Sequence, residues 1–252
     1  MKCVIVYFSG TGNSEYVAKK FKSEFEEHDI ACDLIDISSN HNIISDYDYY
    51  VFGGPIHAES FPKNFTKWIQ NNIKANSPKR VIIFSTQASK SGAGANSLAL
   101  KLSKKGFKID IVKPISMPNN YYTVMFRKSS EAEIKLLKEN ANAIVKDLVK
   151  RFINKELVID SCSKLREISG GLVYKIFYQY SRGWARRTLT VDMHKCIQCR
   201  KCIERCPSSN IYLKDGEIKF INRCLSCQRC LNLCPVNAYK YKNKKVEQYR
   251  VC

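Results

Sequence analysis

The 252-residue chain is poor in several things, and each shortage removes a class of protein. No apolar run approaches the length of a membrane span, so the sequence predicts no transmembrane helix. The N-terminal KCVIVYF is too short for the apolar core of a secretory signal. SGTGNS follows it where a small-residue cleavage site would stand, so the stretch reads as a strand of a mature cytoplasmic protein. Without a secretory context, the twelve cysteines do not argue for a disulfide framework. Acidic side chains are scarce as well: 23 Asp and Glu stand against 42 Lys and Arg, for a net charge of +19. That excess runs through every part of the chain. It suits an acidic protein partner, an anionic membrane face or nucleic acid, and does not choose among them. No side chain stands out as a catalytic acid or base.

What the chain does have is a repeated cysteine spacing. CIQCRKCIERCP begins at Cys196 and CLSCQRCLNLCP at Cys224, each a C-x2-C-x2-C-x3-C-P run. Three thiolates at this spacing wrap one face of a cubic iron–sulfur cluster, and the fourth reaches the other cluster. Cys196, Cys199, Cys202 and Cys234 are then the ligands of one [4Fe–4S] cluster, and Cys224, Cys227, Cys230 and Cys206 those of a second. Pro207 and Pro235 lack an N–H and steer the chain away. The alternative is zinc, but zinc prefers separated ligand pairs closing a tetrahedron and fits two identical tetrads poorly. Each oxidised cluster with four thiolates carries about −2, which offsets part of the local positive charge and weakens the case for nucleic acid. We expect no nucleic-acid partner. Of the remaining cysteines, Cys3 and Cys32 fall in predicted strands and read as buried thiols, while Cys162 and Cys252 have no assigned role.

Residues 190–241 resemble the bacterial two-cluster ferredoxin fold. CPSSNI and CPVNAY look like that family's segments after the fourth ligand, although Tyr239 stands where the family usually ends on Ala-Ile.

The first 150 residues alternate strand and helix patterns. Strands are expected at 2–8, 31–37, 47–54, 80–86 and 107–115, and helices at about 14–27, 61–73, 94–105 and 129–152. Ser130 followed by Glu133 predicts a capping box for the last helix. Five strands with helical crossovers make an α/β doubly wound parallel sheet of order 2-1-3-4-5. Residues 153–187 break the alternation and read as a basic, partly helical linker. In it Gly170-Gly171 is expected to interrupt the chain, and Leu172, Ile176, Tyr180 and Trp184 form a stripe. That stripe is expected to pack on one of the flanking domains rather than on a membrane or partner. In the tail from 188 to 252, IYLKDGEIKF alternates around Asp215-Gly216 and predicts a hairpin.

FSGTGNS, between the first strand and first helix, sits where an α/β sheet binds phosphate. Asn13 stands where a Walker loop needs lysine, and Glu15 where the dinucleotide fingerprint needs a third glycine. Ser9, Gly10, Thr11, Gly12, Asn13 and Ser14 offer hydroxyls, an amide and approachable backbone, which suits a terminal monophosphate such as that of FMN. Two further loops lie at strand carboxyl ends near the switch point: GGPIHAESF from Gly53 and STQASKSGAG from Ser85. MPNNYY, from Met117 to Tyr122, could add a wall. Together these residues resemble flavodoxin over 1–152. The resemblance implies that the first loop holds phosphate. It also implies that Gly53, Gly54, Pro55, Ile56 and His57, with Ser85, Thr86, Gln87, Gly92 and Gly94, frame the isoalloxazine ring. The tryptophan common in the flavodoxin loop is absent, which leaves Phe61, Tyr121 and Tyr122 as candidates to stack on it.

The whole chain resembles the EFR1-type flavodoxin–ferredoxin fusions of bacteria and archaea. The expected architecture is a flavodoxin-like FMN domain (1–152), the linker (153–187) and a small α+β two-cluster ferredoxin domain (188–252). With the cofactors the resemblance implies, the chain reads as a cytoplasmic iron–sulfur flavoprotein expected to pass electrons between two [4Fe–4S] clusters and FMN. It would link a low-potential one-electron carrier to a second carrier or a small redox substrate, and so leans toward an oxidoreductase. A pure electron shuttle is the alternative, and a zinc-binding basic module a lesser one. The basic surface suggests an acidic redox partner such as a ferredoxin, flavodoxin or reductase. Peripheral membrane contact is not favoured, and a homodimer is left open.

Overall fold

The computed structural model describes residues 1–39, 44, 46–74, 77–88 and 92–249. Ser89 to Ser91 of the second ring-framing loop and Cys252 lie outside the described residues. Six strands form one parallel sheet: β1 (Lys2–Tyr7), β2 (Ala31–Asp36), β3 (Tyr49–Pro55), β4 (Arg80–Gln87), β5 (Lys108–Ser116) and β6 (Val158–Ile159). Their order is β2-β1-β3-β4-β5-β6. The expected five-strand order is therefore present, with one strand added at the edge. The added β6 holds only two residues, paired with Ile111 and Val112. Lys113 Nζ anchors it by an ion pair to the Asp160 carboxylate at 2.9 Å, and Asn96 Nδ2 donates to the Asp160 carbonyl at 2.8 Å. Two residues are too few to leave a periodic signal in a sequence.

Alternation along the strands decides the layers. Cys3, Ile5 and Tyr7, with Val51, Ile82, Phe84 and Ile111, face α1 (Asn13–Glu26) and α4 (Glu131–Ile153). Val4, Val6 and Phe8, with Tyr50, Phe52, Val81 and Ile83, face α2 (Lys63–Asn72) and α3 (Gly94–Ser103). Both faces are fully covered, as the near-continuous apolar strands require. Cys3 and Cys32 sit opposite one another in register and are buried, as expected. The predicted capping box is present: Ser130 Oγ accepts from Glu133 N–H at 3.2 Å, and the Glu133 carboxylate accepts from Ser130 N–H at 2.7 Å.

Two expectations for residues 153–187 need correction. α5 (Lys164–Arg182) runs unbroken through Gly170-Gly171. Gly170 faces Glu59, whose Cβ would stand 3.1 Å from an added Cβ, so close packing outweighs the weak helix propensity of glycine. Three of the four stripe residues do not pack on either flanking domain: Leu172, Ile176 and Tyr180 are 62, 65 and 56 % exposed. Tyr174 and Tyr178 attach the helix instead, the first through its hydroxyl, which accepts from Lys63 N–H at 2.6 Å. Of the four stripe residues only Trp184, in the short α6 (Trp184–Thr188), is buried.

The tail builds a small unit. β7 (Leu189–Val191) pairs antiparallel with a later strand, and α7 (Lys201–Glu204) precedes the hairpin of β8 (Ile211–Lys214) and β9 (Glu217–Phe220). Asp215 and Gly216 turn that hairpin with φ of 50° and 74°, the primed geometry read from the sequence. α8 (Arg229–Leu233), β10 (Tyr239–Tyr241) and β11 (Lys244–Lys245) complete it. The core is slight: Trp184, Leu189, Leu231, Tyr239 and Val246, with Cys202, Cys224, Cys230 and Cys234 packed against it. A unit with so little apolar burial needs cross-linking by its cysteines, and none of the described cysteines is in a disulfide.

Candidate functional site

The phosphate-type loop is built as the sequence suggests. β1 ends at Tyr7, Phe8 N–H bonds to the Gly53 carbonyl at 3.0 Å, and α1 begins at Asn13. Gly12 occupies the N-cap in the left-handed region at φ 107° and supplies no side-chain cap. The first turn of α1 is thus uncapped although Asn13 and Ser14 are buried, an arrangement that suits an anion. Ser9 Oγ accepts from Gly12 N–H at 3.0 Å, and Ser14 Oγ and Thr86 Oγ1 share a hydrogen bond of 2.6 Å. Asn13 Nδ2 donates to the Pro118 carbonyl at 2.9 Å, and Asn120 bonds to Thr11. The loops after β1, β4 and β5 therefore meet at one end of the sheet.

The loop after β3 joins them. Ile56 N–H bonds to the Thr86 carbonyl at 3.1 Å, and His57 and Ser60 exchange backbone bonds around Ala58 and Glu59. Those two residues have φ of 43° and 75°, a turn usually reserved for Asn-Gly. α5 holds this strained turn, with Arg166 Nε 3.5 Å from the Glu59 carboxylate. His57 lies beside Phe177 of α5, with ring centroids 6.3 Å apart. Burial pulls its pKa down to about 4, partly opposed by a hydrogen bond with the Leu225 backbone, so the ring is neutral at physiological pH. Of the three stacking candidates, Phe61 is fully buried against Phe65 in the sheet core, at 5.2 Å between centroids, and offers no free face. Tyr121 and Tyr122 are half-buried at the rim. Tyr122 donates its hydroxyl to the Glu247 carbonyl at 3.0 Å.

The cysteines form two groups that cross between the motifs. Cys196, Cys199 and Cys202 share one cavity with Cys234, walled by Val191, Ile197, Leu213, Ile218 and Tyr239. Cys224, Cys227 and Cys230 interact electrostatically with Cys206 from the first motif. The 28-residue offset is visible in the backbone. Gln198 and Ser226, Arg200 and Gln228, and Ser209 and Asn237 are all left-handed, with paired φ values of 50° and 53°, 61° and 58°, and 48° and 48°. The N–H of Asn210 donates to Cys206 Sγ and that of Ala238 to Cys234 Sγ, both at 3.3 Å. Ser226 N–H donates to Cys224 Sγ at 3.2 Å.

These thiols sit in surroundings hostile to a bare thiolate. Burial pushes Cys224 up to about 12 and raises Cys202, Cys227 and Cys230, with neighbouring cysteines adding to the effect at Cys224, Cys202 and Cys230. Four deprotonated ligands here require a strongly charged centre among them. Among the described residues no three His, Cys, Asp or Glu side chains converge on a single metal ion. Four cysteines spread around an apolar cavity, with N–H groups directed at sulfur, fit a cluster. The donor sets fit both kinds of cofactor.

The two ends of the chain meet. Gly10 lies so close to the second cysteine motif that a Cβ there would fall 2.5 Å from the Cys227 carbonyl oxygen. Arg229, buried, directs Nε at the Ser9 carbonyl at 3.2 Å and Nη1 at the Arg205 carbonyl at 3.4 Å. Its guanidinium also binds Ser9 through Nη2, stands 3.4 Å from the Asp36 carboxylate and lies over the Phe8 ring, 5.4 Å from its centroid. Leu225 enters the sheet core, and the Tyr249 hydroxyl donates to Asn13 Oδ1 at 2.6 Å. Sequence reading singles out none of Leu225, Arg229 and Tyr249. An arginine placed between two ligand cysteines was the available signal.

A flavodoxin domain family matches residues 4–114, and a 4Fe-4S dicluster domain family matches residues 185–244. No curated protein matches significantly. Among solved structures, an archaeal flavodoxin is 14 % identical, covering 60 % of this chain and 99 % of its own, with a TM-score of 0.42. Flavodoxin 1 of Bacillus cereus is 18 % identical, covering 58 % and 98 %, with a TM-score of 0.42. Rubredoxin oxygen:oxidoreductase of Desulfovibrio gigas is 19 % identical, covering 60 % of this chain and 37 % of its own, with a TM-score of 0.38. The two family matches together are consistent with a flavodoxin–ferredoxin fusion and support an electron-transfer role as an iron–sulfur flavoprotein.

Proposed function

We propose that this protein carries electrons between two [4Fe–4S] clusters and one FMN within a single chain, and that the second cysteine motif is the side of the ferredoxin unit that faces the flavin. The carrying observation is the contact between that motif and the phosphate-type loop, through Gly10 against Cys227 and Arg229 against Ser9. Cys196, Cys199, Cys202 and Cys234 hold the outer cluster, and Cys224, Cys227, Cys230 and Cys206 the inner one. Ser9 to Ser14 hold the phosphate of FMN, and residues 53–57, 85–87, Gly92 and Gly94 border its ring, with Tyr121 at the rim. When bound, the clusters exchange one electron each and the flavin one or two, so the set joins one-electron to two-electron couples. Residues 1–152 form the flavin unit and 188–252 the cluster unit. The intervening helix α5 fixes the two, since Ser181 Oγ reaches the Cys224 carbonyl at 3.4 Å while Phe177 lies on His57. Electrons enter from an acidic one-electron carrier and leave to a second carrier or a small redox molecule.

The test is anaerobic reconstitution with iron, sulfide and flavin counted on one sample. Roughly eight irons, eight sulfides and one FMN per chain are expected. Stopped-flow reduction should then bleach the clusters and flavin with a concentration-independent internal phase. Zinc without acid-labile sulfide, or a flavin that is reduced only in bimolecular encounters between chains, would overturn the reading.

A further inference from the structure

α5 is attached by one face and bare on the other. Gly170, Tyr174, Phe177, Tyr178 and Ser181 point to the protein, which leaves the opposite side free. Along that side Leu165, Ile168, Leu172, Ile176 and Tyr180 recur at intervals of three and four residues, 77, 74, 62, 65 and 56 % exposed. Single exposed aliphatic residues are ordinary, but a continuous ridge of them marks an interaction surface. Lys164 and Lys175 border the ridge on one flank, while Arg166 on the other is paired with Glu59. Arg182, Arg186 and Arg187 follow at its C-terminal end. Between Lys164 and Thr188 the sole acidic residue is Glu167.

We propose that α5 docks the protein on an anionic lipid surface, with the ridge entering the boundary between headgroups and acyl chains and the flanking cations meeting the headgroups. The composition is that of a helix lying in the interface plane. It cannot cross: no helix of the described residues is long and apolar enough to span a membrane. Charge argues against a second copy as the occupant, because a two-fold contact would set these cations against their own equivalents with Glu167 alone to offset them. Shape argues against an acidic protein. Protein interfaces are anchored by side chains seated in pockets, whereas these stand outward on a convex helix, a form that a fluid bilayer accommodates without complementary carving. The helix is also ordered in advance. The Tyr174 bond to Lys63, Lys63 Nζ over the Tyr178 ring at 4.9 Å and the packing of Phe177 on His57 hold it without a membrane, so docking costs little ordering entropy.

The test is co-sedimentation of the anaerobic, cofactor-loaded protein with vesicles of phosphatidylcholine alone and of phosphatidylcholine with about one third phosphatidylglycerol. The protein should sediment with the anionic vesicles at low salt, at least tenfold more weakly with the neutral ones, and progressively less as salt rises. The double variant Ile168→Glu/Ile176→Glu alters exposed side chains only. It should keep the flavin and iron content and the circular dichroism of the parent and lose the vesicle binding. Lys164→Gln/Lys175→Gln should weaken binding by about fivefold or more. Failure of the parent to bind anionic vesicles, or equal binding by the glutamate variant, overturns the proposal. So does a concentration-dependent dimer, seen by sedimentation equilibrium without lipid, that the glutamate variant abolishes; the ridge would then belong to a second copy.

Discussion

Tyr239 is a buried tyrosine whose hydroxyl has no oxygen or nitrogen partner among the described residues. It lines the cavity of Cys196, Cys199, Cys202 and Cys234, and Cys202 is the group within its reach. A hydroxyl directed at a ligand sulfur stabilises the more negative, reduced cluster and raises its potential. The residue 28 positions earlier is Ile211, which offers no such donor at the other cysteine group. On the proposed two-cluster reading, Tyr239→Phe should therefore lower the potential of the outer cluster alone, by ~30–60 mV, or about 0.7–1.4 kcal/mol for one electron. EPR-monitored redox titration resolves the two clusters; equal shifts in both, or none, would remove Tyr239 from this role. Arg229 acts at the junction. Arg229→Gln leaves the Ser9 carbonyl and the Asp36 carboxylate short of their buried partner, a loss of about 2–3 kcal/mol. The expected result is a lower melting temperature and slower internal reduction of flavin. A variant that melts lower yet transfers electrons at the parent rate would make the arginine a purely structural brace.

At the scale of elements, α4 shows how a local signal survives into the fold. Its capping box joins Ser130 and Glu133, and Arg127 adds an ion pair that holds the Glu133 carboxylate down at about 2. Ser130→Ala should cost about 1 kcal/mol, an apparent melting shift of about 2–4 °C for a chain of this size. Calorimetry at fixed scan rate checks it, and no change would mean that the buried face of Val145, Val149 and Phe152 alone fixes the start of the helix. Elements of this kind were legible because their evidence is local: apolar strands bounded by Gly or Ser, a helix with its cap, a hairpin turned at Asp215-Gly216, cysteines at fixed spacing. The gathering of Cys234 with Cys196, Cys199 and Cys202 around one cavity follows the symmetry of the repeated motif. What escaped depends on contacts between distant segments. β6 exists because β5 offers an open edge and Asp160 finds Lys113 and Asn96. α5 carries a glycine at 170 because the turn at Glu59 takes the space a side chain would need there, whereas Gly171 faces open space. Its apolar stripe misled for the same reason: periodicity says that a face exists, but not which surface lies opposite. The partnership of Gly10 with Cys227 was hidden within a residue already explained by the phosphate-type loop.

The whole molecule combines a closed internal contact with an open external field, and salt should separate the two. On the proposed function, the charge of +19 would attract an acidic carrier from a distance, and such steering raises association rates by 10- to 1000-fold at low ionic strength. The Debye length falls from about 10 Å at 0.1 M to about 3 Å at 1 M, so that advantage should vanish with added salt. The junction between the second cysteine motif and the phosphate-type loop responds differently. Arg229 and Ser9 are buried, Gly10 is in van der Waals contact with Cys227, and Leu225 is seated in the sheet core, so mobile ions have no access to screen them. Mixing the reduced acidic carrier with the loaded protein at increasing ionic strength should slow the bimolecular phase by at least about tenfold between 0.02 M and 0.5 M salt. The concentration-independent phase that follows, in which the flavin is reduced within the chain, should keep its rate. An internal phase that slows in parallel would mean that the two units part and meet again during each transfer, and that the contact of Gly10 with Cys227 is one position of a moving joint. A bimolecular phase indifferent to salt would place the entry point away from the basic surface.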